Sequence, residues 1–201
     1  EPLSGKTTLA VGLCRKAMAA GRTVSLLRLA GDANAAPDTA LFESLPGVSS
    51  DPASEDLVII EAPAGDPSGA MAGVGDARVI VVAPADSGPA GVAEYCRGLG
   101  AALAGVIVNK VPQRRAASLR KAFEGAGVRL LVAVPEDRVL AAPVLSDLAA
   151  ALDARVSFMN GDSLRPLDRP LIASIAVDPG QGYFARCDAT AVIVRSDKPD
   201  L

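Results

Sequence analysis

Ser4-Gly5-Lys6-Thr7-Thr8 runs directly into a stretch with helical apolar spacing. A phosphate-binding loop has the pattern G-x-x-x-x-G-K-[ST], and Gly5, Lys6 and Thr7 fill its last three places. Its first glycine would fall one residue before Glu1. Successive backbone N–H groups at a helix N-terminus wrap a phosphate, and the helix dipole adds positive potential there. Lys6 then reaches the β- and γ-phosphates, and the Thr7 hydroxyl ligates Mg²⁺. Ser4, Gly5, Lys6, Thr7 and Thr8 are therefore candidate nucleotide contacts. An ordinary helix start could carry the same letters, but nothing structural requires a lysine aimed into that loop.

Five other residues could share this chemistry. Glu61 ends the apolar run LVIIE and precedes Ala62-Pro63-Ala64-Gly65. A carboxylate after a buried strand, beside a P-loop, is where Mg²⁺ or its water is held. It could otherwise be a strand-terminal acid facing solvent. Asp32 and Asp38 lie in the loop after the second apolar run, and either could join the metal shell, contact a substrate or be simply solvated. Asn109-Lys110 follows LAGVIVN; the amide can pair with an adenine edge while the lysine packs along the ring. Pro135-Glu136-Asp137-Arg138 is a polar turn that could contact nucleotide or a subunit partner, but its residue types favour a cap on the helix after it. Cys14, Cys96 and Cys187 are far apart and read as core thiols.

These positions need elements to hold them at one edge. Helical spacing over residues 6–20 (Leu9, Leu13, Cys14, Ala17) ends at Gly21. Strands are expected at Thr23–Leu29, Leu57–Glu61, Arg78–Ala83, Leu103–Asn109 and Val128–Val134. Helices are expected at Asp38–Leu45 (entered through Pro37), Gly88–Ala102, Arg114–Gly125 and Val144–Leu152. Such alternation predicts a doubly wound, mostly parallel α/β sheet of P-loop NTPase type. Ligands in such sheets bind beyond the carboxyl ends of the strands, where the candidates above fall. After Ala154 the texture changes. Polar, turn-rich NGDSLRPLDR precedes a strand around Ile172–Val177, a turn and short helix over Pro179–Arg186, and a strand at Thr190–Val194, a partial second α/β domain.

Composition excludes several classes. Of 201 residues, 50% are hydrophobic and 21% charged, so the chain buries a core. Aromatics are only 3%, which predicts a core of Val, Leu, Ile and Ala. A net charge of −3 without long basic runs argues against a nucleic-acid surface. No apolar run approaches the roughly 20 residues needed to cross a bilayer, and no signal peptide is seen. Three scattered cysteines suit a reducing cytoplasm. With no histidine, a Ser-His-Asp triad is out and a transition-metal site is disfavoured. The chain opens inside a motif, so it is expected to be a piece of something longer.

SGKTT, DLVIIEAPAG, GVIVNKVP and above all VPEDRVLAAPVLSDL resemble the dethiobiotin synthetase-like P-loop domain at the N-terminus of bacterial phosphotransacetylases. The resemblance covers residues 1–155, with residues 156–169 a linker. Residues 170–201 look like the first half of a DRTGG domain, with SDKPDL where the name-giving motif would fall. The resemblance implies a SIMIBI-type fold, commonly dimeric, binding ATP and Mg²⁺. It implies Gly5, Lys6 and Thr7 on phosphate and metal, Glu61 as the metal-side acid and Asn109 as base reader. In dethiobiotin synthetases a Lys-Pro pair after the second strand helps bind substrate; here that place reads Leu27-Arg28-Leu29. That departure argues against dethiobiotin synthesis, and no acetyl-transferring module lies within these residues.

Two functions are expected to compete, while a third reading, a vestigial P-loop on a scaffold or dimerisation element, is opposed by the intact Gly5-Lys6-Thr7 trio. One is a regulatory or sensory ATP-Mg²⁺ module. The other is an ATP-dependent ligase of the dethiobiotin or cobyrinate amidation type, with Lys6 and Glu61 as its catalytic groups and Thr7, Asp38 and Glu61 on the metal.

Overall fold

The computed structural model describes residues 4–49, 51–65, 75–157, 165–167, 169–173, 186 and 190–194. It is an α/β protein whose described strands all pair in parallel. The chain divides into two compact units, residues 1–135 and 136–201.

The first unit opens with α1 (Lys6–Ala19), whose N-cap Gly5 has φ 83°. Only glycine takes that left-handed turn at no steric cost, and the first N–H groups of a helix have no partner within it. The helix buries Ala10 and Cys14, while Leu13, expected on the core face, is 41% exposed. The buried stripe runs through positions 10 and 14, one turn apart, and leaves Leu13 to its side.

β1 (Val24–Arg28) and β2 (Leu57–Glu61) form one ladder, in which Arg28 lies opposite Glu61. Between them α2 spans Ala35–Glu43, three residues earlier than its spacing predicts. Pro37 sits inside its first turn, where a missing N–H costs nothing, rather than marking its start. β3 (Val79–Pro84), β4 (Leu103–Val111) and β5 (Leu130–Pro135) form a second ladder in the order β3-β4-β5. Pro84 lies opposite Asn109. The expected single sheet is thus two hydrogen-bonded ladders among the described residues.

α3 (Pro89–Arg97) stops five residues before its expected end. Gly98 caps it, and Gly100, with φ 47°, turns the chain into a short 3₁₀ segment ahead of β4. α4 (Ala116–Gly125) buries Leu119 and Phe123.

Two apolar clusters form the core. One joins Ala10, Cys14, Val24, Leu26 and Phe42. The other gathers the β3–β5 ladder with α3 and α4 around Phe123, which is fully buried. The core is mainly aliphatic as expected, yet a phenylalanine lies in each cluster. Cys14 and Cys96 are buried free thiols, and burial raises both pKa values. Cys187 lies outside the described residues.

In the second unit, Asp137 caps the short α5 (Arg138–Ala141), accepting from the Val139 and Leu140 amides at 2.8 and 3.2 Å. This is the capping role read from the PEDR segment. α6 spans Leu145–Ala151, and Leu167 N–H donates to the Pro143 carbonyl at 2.9 Å. β6 (Arg169–Ala173) and β7 (Thr190–Val194) pair in parallel. The expected helix over Pro179–Arg186 falls outside the described residues except for Arg186. No helix among the described residues is long and apolar enough to cross a membrane.

Candidate functional site

The strand register assembles the site. Parallel pairing sets the carboxyl ends of β1 and β2 side by side, so Arg28 neighbours Glu61. On β4 the backbone reaches Asn109 next to the loop that precedes α1. Its side-chain Nδ2 donates to the Ser4 carbonyl at 2.9 Å. Gly5 sits so close that any Cβ there would run into this amide. Gly5 is therefore required twice, by its φ and by its packing.

On the first turn of α1, the Thr7 hydroxyl donates to Glu61 Oε1 at 3.1 Å. Glu61 is 6% exposed, and its other oxygen, Oε2, is buried without a hydrogen-bond partner. An ionised oxygen left bare in this way invites a cation. Burial raises the Glu61 pKa, against the opposing influence of the Thr7 hydrogen bond, Arg28 and Lys6. Lys6 responds in the opposite sense. Burial lowers its pKa, although Glu61, Asp32 and Asp38 favour the charged form. The Ser4 hydroxyl is also buried and unpartnered. Thr8, in the same turn, is exposed.

The loop acids have a different partner from the one their sequence position suggests. The Arg28 side chain, 1% exposed, donates from Nη2 to both Asp32 oxygens at 2.6 Å and from Nε to Asp38 Oδ2 at 3.2 Å. The hydrogen bond from Arg28 holds the Asp32 carboxyl below its ordinary pKa. Nothing in the residue types near Arg28 announced this cluster, apart from two acids four and ten residues downstream. Lys110 is exposed with φ 57°, at the position where β4 leaves its regular register.

Among the described residues no three His, Cys, Asp or Glu side chains gather as a metal cage. Mg²⁺ does not require one, since it takes one or two protein oxygens and completes its shell with water and phosphate. The donors present fit it: a hydroxyl and a carboxylate in contact, with one carboxylate oxygen unpartnered. Thr7 and Glu61 would hold the ion, which would neutralise phosphate charge.

A glycine-turned loop, a lysine, a hydroxyl and a strand-end carboxylate at the carboxyl edge of parallel strands define a P-loop nucleotide-binding domain. The chain belongs to the CbiA family, the CobQ/CobB/MinD/ParA nucleotide binding domain, whose family model matches residues 4–148. Comparison with curated proteins and with solved structures gave no match.

Proposed function

We propose that this domain binds ATP with Mg²⁺ and acts as a regulatory or sensory module of the phosphotransacetylase N-terminal type. In this reading a DRTGG-like domain follows from residue 170, and the protein is a cytoplasmic dimer. The observation that carries nucleotide–metal binding is the Thr7–Glu61 contact with its unpartnered Glu61 Oε2. Lys6 and the N–H groups from Gly5 onward cradle phosphate, and Thr7 and Glu61 hold the ion, with Asp38 on its outer side. Asn109 braces the phosphate loop through the Ser4 carbonyl, and Lys110 lines the base end.

The sensory reading is favoured over a ligase by Arg28. It stands where a substrate-binding lysine would be needed, and its guanidinium is engaged by Asp32 and Asp38. A ligase would require a donor free to orient a second substrate.

Calorimetry with ATP and with GTP, each with Mg²⁺, tests binding. An assay for ADP release with small diamines and carboxylic acids tests turnover. Binding in the micromolar range with no substrate-dependent ADP release is expected. Substrate-dependent release would establish the ligase reading, and absence of affinity for both nucleotides would remove the proposal altogether.

A further inference from the structure

Arg28 is in contact with both loops that border the site. A guanidinium has five N–H donors in a rigid fork. Here Nε meets Asp38 Oδ2 at 3.2 Å, and Nη2 meets Asp32 Oδ1 and Oδ2 at 2.6 Å. Nη1 meets the Leu29 carbonyl at 2.7 Å and the Glu61 carbonyl at 3.4 Å. All three guanidinium nitrogens are therefore engaged.

The acceptors come from three places. Asp38 is on α2. Asp32 is in the loop after β1, where it also accepts from the Asn34 amide at 3.1 Å. The Glu61 carbonyl ends β2, and it accepts from the Leu29 amide as well, at 2.9 Å. The same two loops touch again where a Cβ on Gly31 would lie 3.0 Å from Pro63 Cγ.

We propose that Arg28 is a positioning residue, which locks the loop after β1 to the end of β2 so that Glu61 is presented to the metal in one fixed orientation. This rests on the Mg²⁺–nucleotide reading above. Buried ion clusters add little net stability compared with apolar packing, but they hold geometry tightly, because an unpaired member is costly. A cluster of this kind at the metal edge suits orientation rather than bulk stability. Lysine could not replace it, since one ammonium cannot reach acceptors spread around three guanidinium nitrogens. A second consequence is chemical. Each Arg28 nitrogen is already engaged within the chain, so the pocket edge beside β1 does not recruit an anionic second substrate through it.

The test uses the full chain with Arg28→Lys, Arg28→Met and Asp32→Asn. ATP affinity is measured with Mg²⁺ and with EDTA, after thermal melting has shown each variant folded. Wild type is expected to bind more tightly with Mg²⁺. Arg28→Lys and Asp32→Asn are expected to reduce that Mg²⁺ enhancement about tenfold while leaving the EDTA affinity within about twofold. Should Arg28→Met not fold, Asp32→Asn, altered at a partly exposed side chain, carries the test. An unchanged Mg²⁺ enhancement in folded Arg28→Lys and Asp32→Asn overturns the positioning role. It would leave nucleotide binding standing. Absence of ATP binding by wild type in both media overturns the nucleotide reading, and the positioning role with it.

Discussion

The Asn109 amide and the Ser4 carbonyl, 105 residues apart in sequence, are joined by a buried 2.9 Å hydrogen bond. It anchors the phosphate loop to the end of β4 directly beneath Gly5. A side chain that braces the loop acts on every nucleotide alike, whereas one that reads a base discriminates among them. Asn109→Ala is expected to weaken ATP and GTP by similar factors, about tenfold each, because it releases the Ser4 carbonyl without replacing its donor. Paired titrations of both nucleotides check this. A loss confined to one of them would instead establish base reading.

Lys6→Ala removes a half-buried ammonium whose pKa burial already depresses. The fold is expected to keep its melting temperature, since the Lys6 side chain is only partly buried. Nucleotide affinity is expected to fall about 100-fold or more, because charge-assisted bonds to phosphate are strong where water is excluded. Calorimetry beside thermal melting separates the two effects. Retained affinity would show that Lys6 does not face phosphate.

Glu61→Gln should stabilise the metal-free protein while removing the Mg²⁺ enhancement of nucleotide binding. The folded-state pKa of Glu61 is raised by burial, so the folded protein binds more protons than the unfolded chain between the ordinary glutamate value and the raised one. In that window wild-type stability falls as pH rises, and the glutamine variant lacks this slope. Melting curves across the acidic range in EDTA report the difference. Parallel curves for the two proteins would mean that Glu61 titrates normally.

The two cores are each held by one phenylalanine. Phe123 is fully buried among β3–β5, α3 and α4, and Phe42 is 2% exposed against α1 and β1. Truncation of either to alanine is expected to cost about 3–5 kcal/mol. Denaturant titration measures it. A cost near zero for Phe42→Ala would mean that the cluster around Cys14 repacks without it.

The outline of this site was legible in the sequence because its parts are local. SGKTT runs into its own helix, and LVIIE ends on the acid that Thr7 meets. The strands were legible for a similar reason, being continuous apolar runs. What escaped is non-local or conformational. The contact of Asp38 Oδ2 with Arg28 depends on how α2 packs, which the sequence around Asp38 does not display. Asn109 looks like a strand-end amide until the chain returns its Ser4 partner. Leu13 fits a helical stripe as well as Ala10 does, and the choice depends on the surface that covers the helix. Helix ends moved where Pro37, Gly98 and Gly100 exerted backbone preferences that periodicity does not register.

The two ladders give the first unit two separate apolar hearts. The P-loop grows from the one built on Phe42, and its brace, Asn109, from the one built on Phe123. A second tie runs from the Tyr95 hydroxyl on α3 to the Gly65 carbonyl beyond β2, at 2.8 Å. A guest seated on the loop therefore leans on both hearts at once. A ligand that binds only the folded chain would therefore stabilise the arrangement of both clusters together.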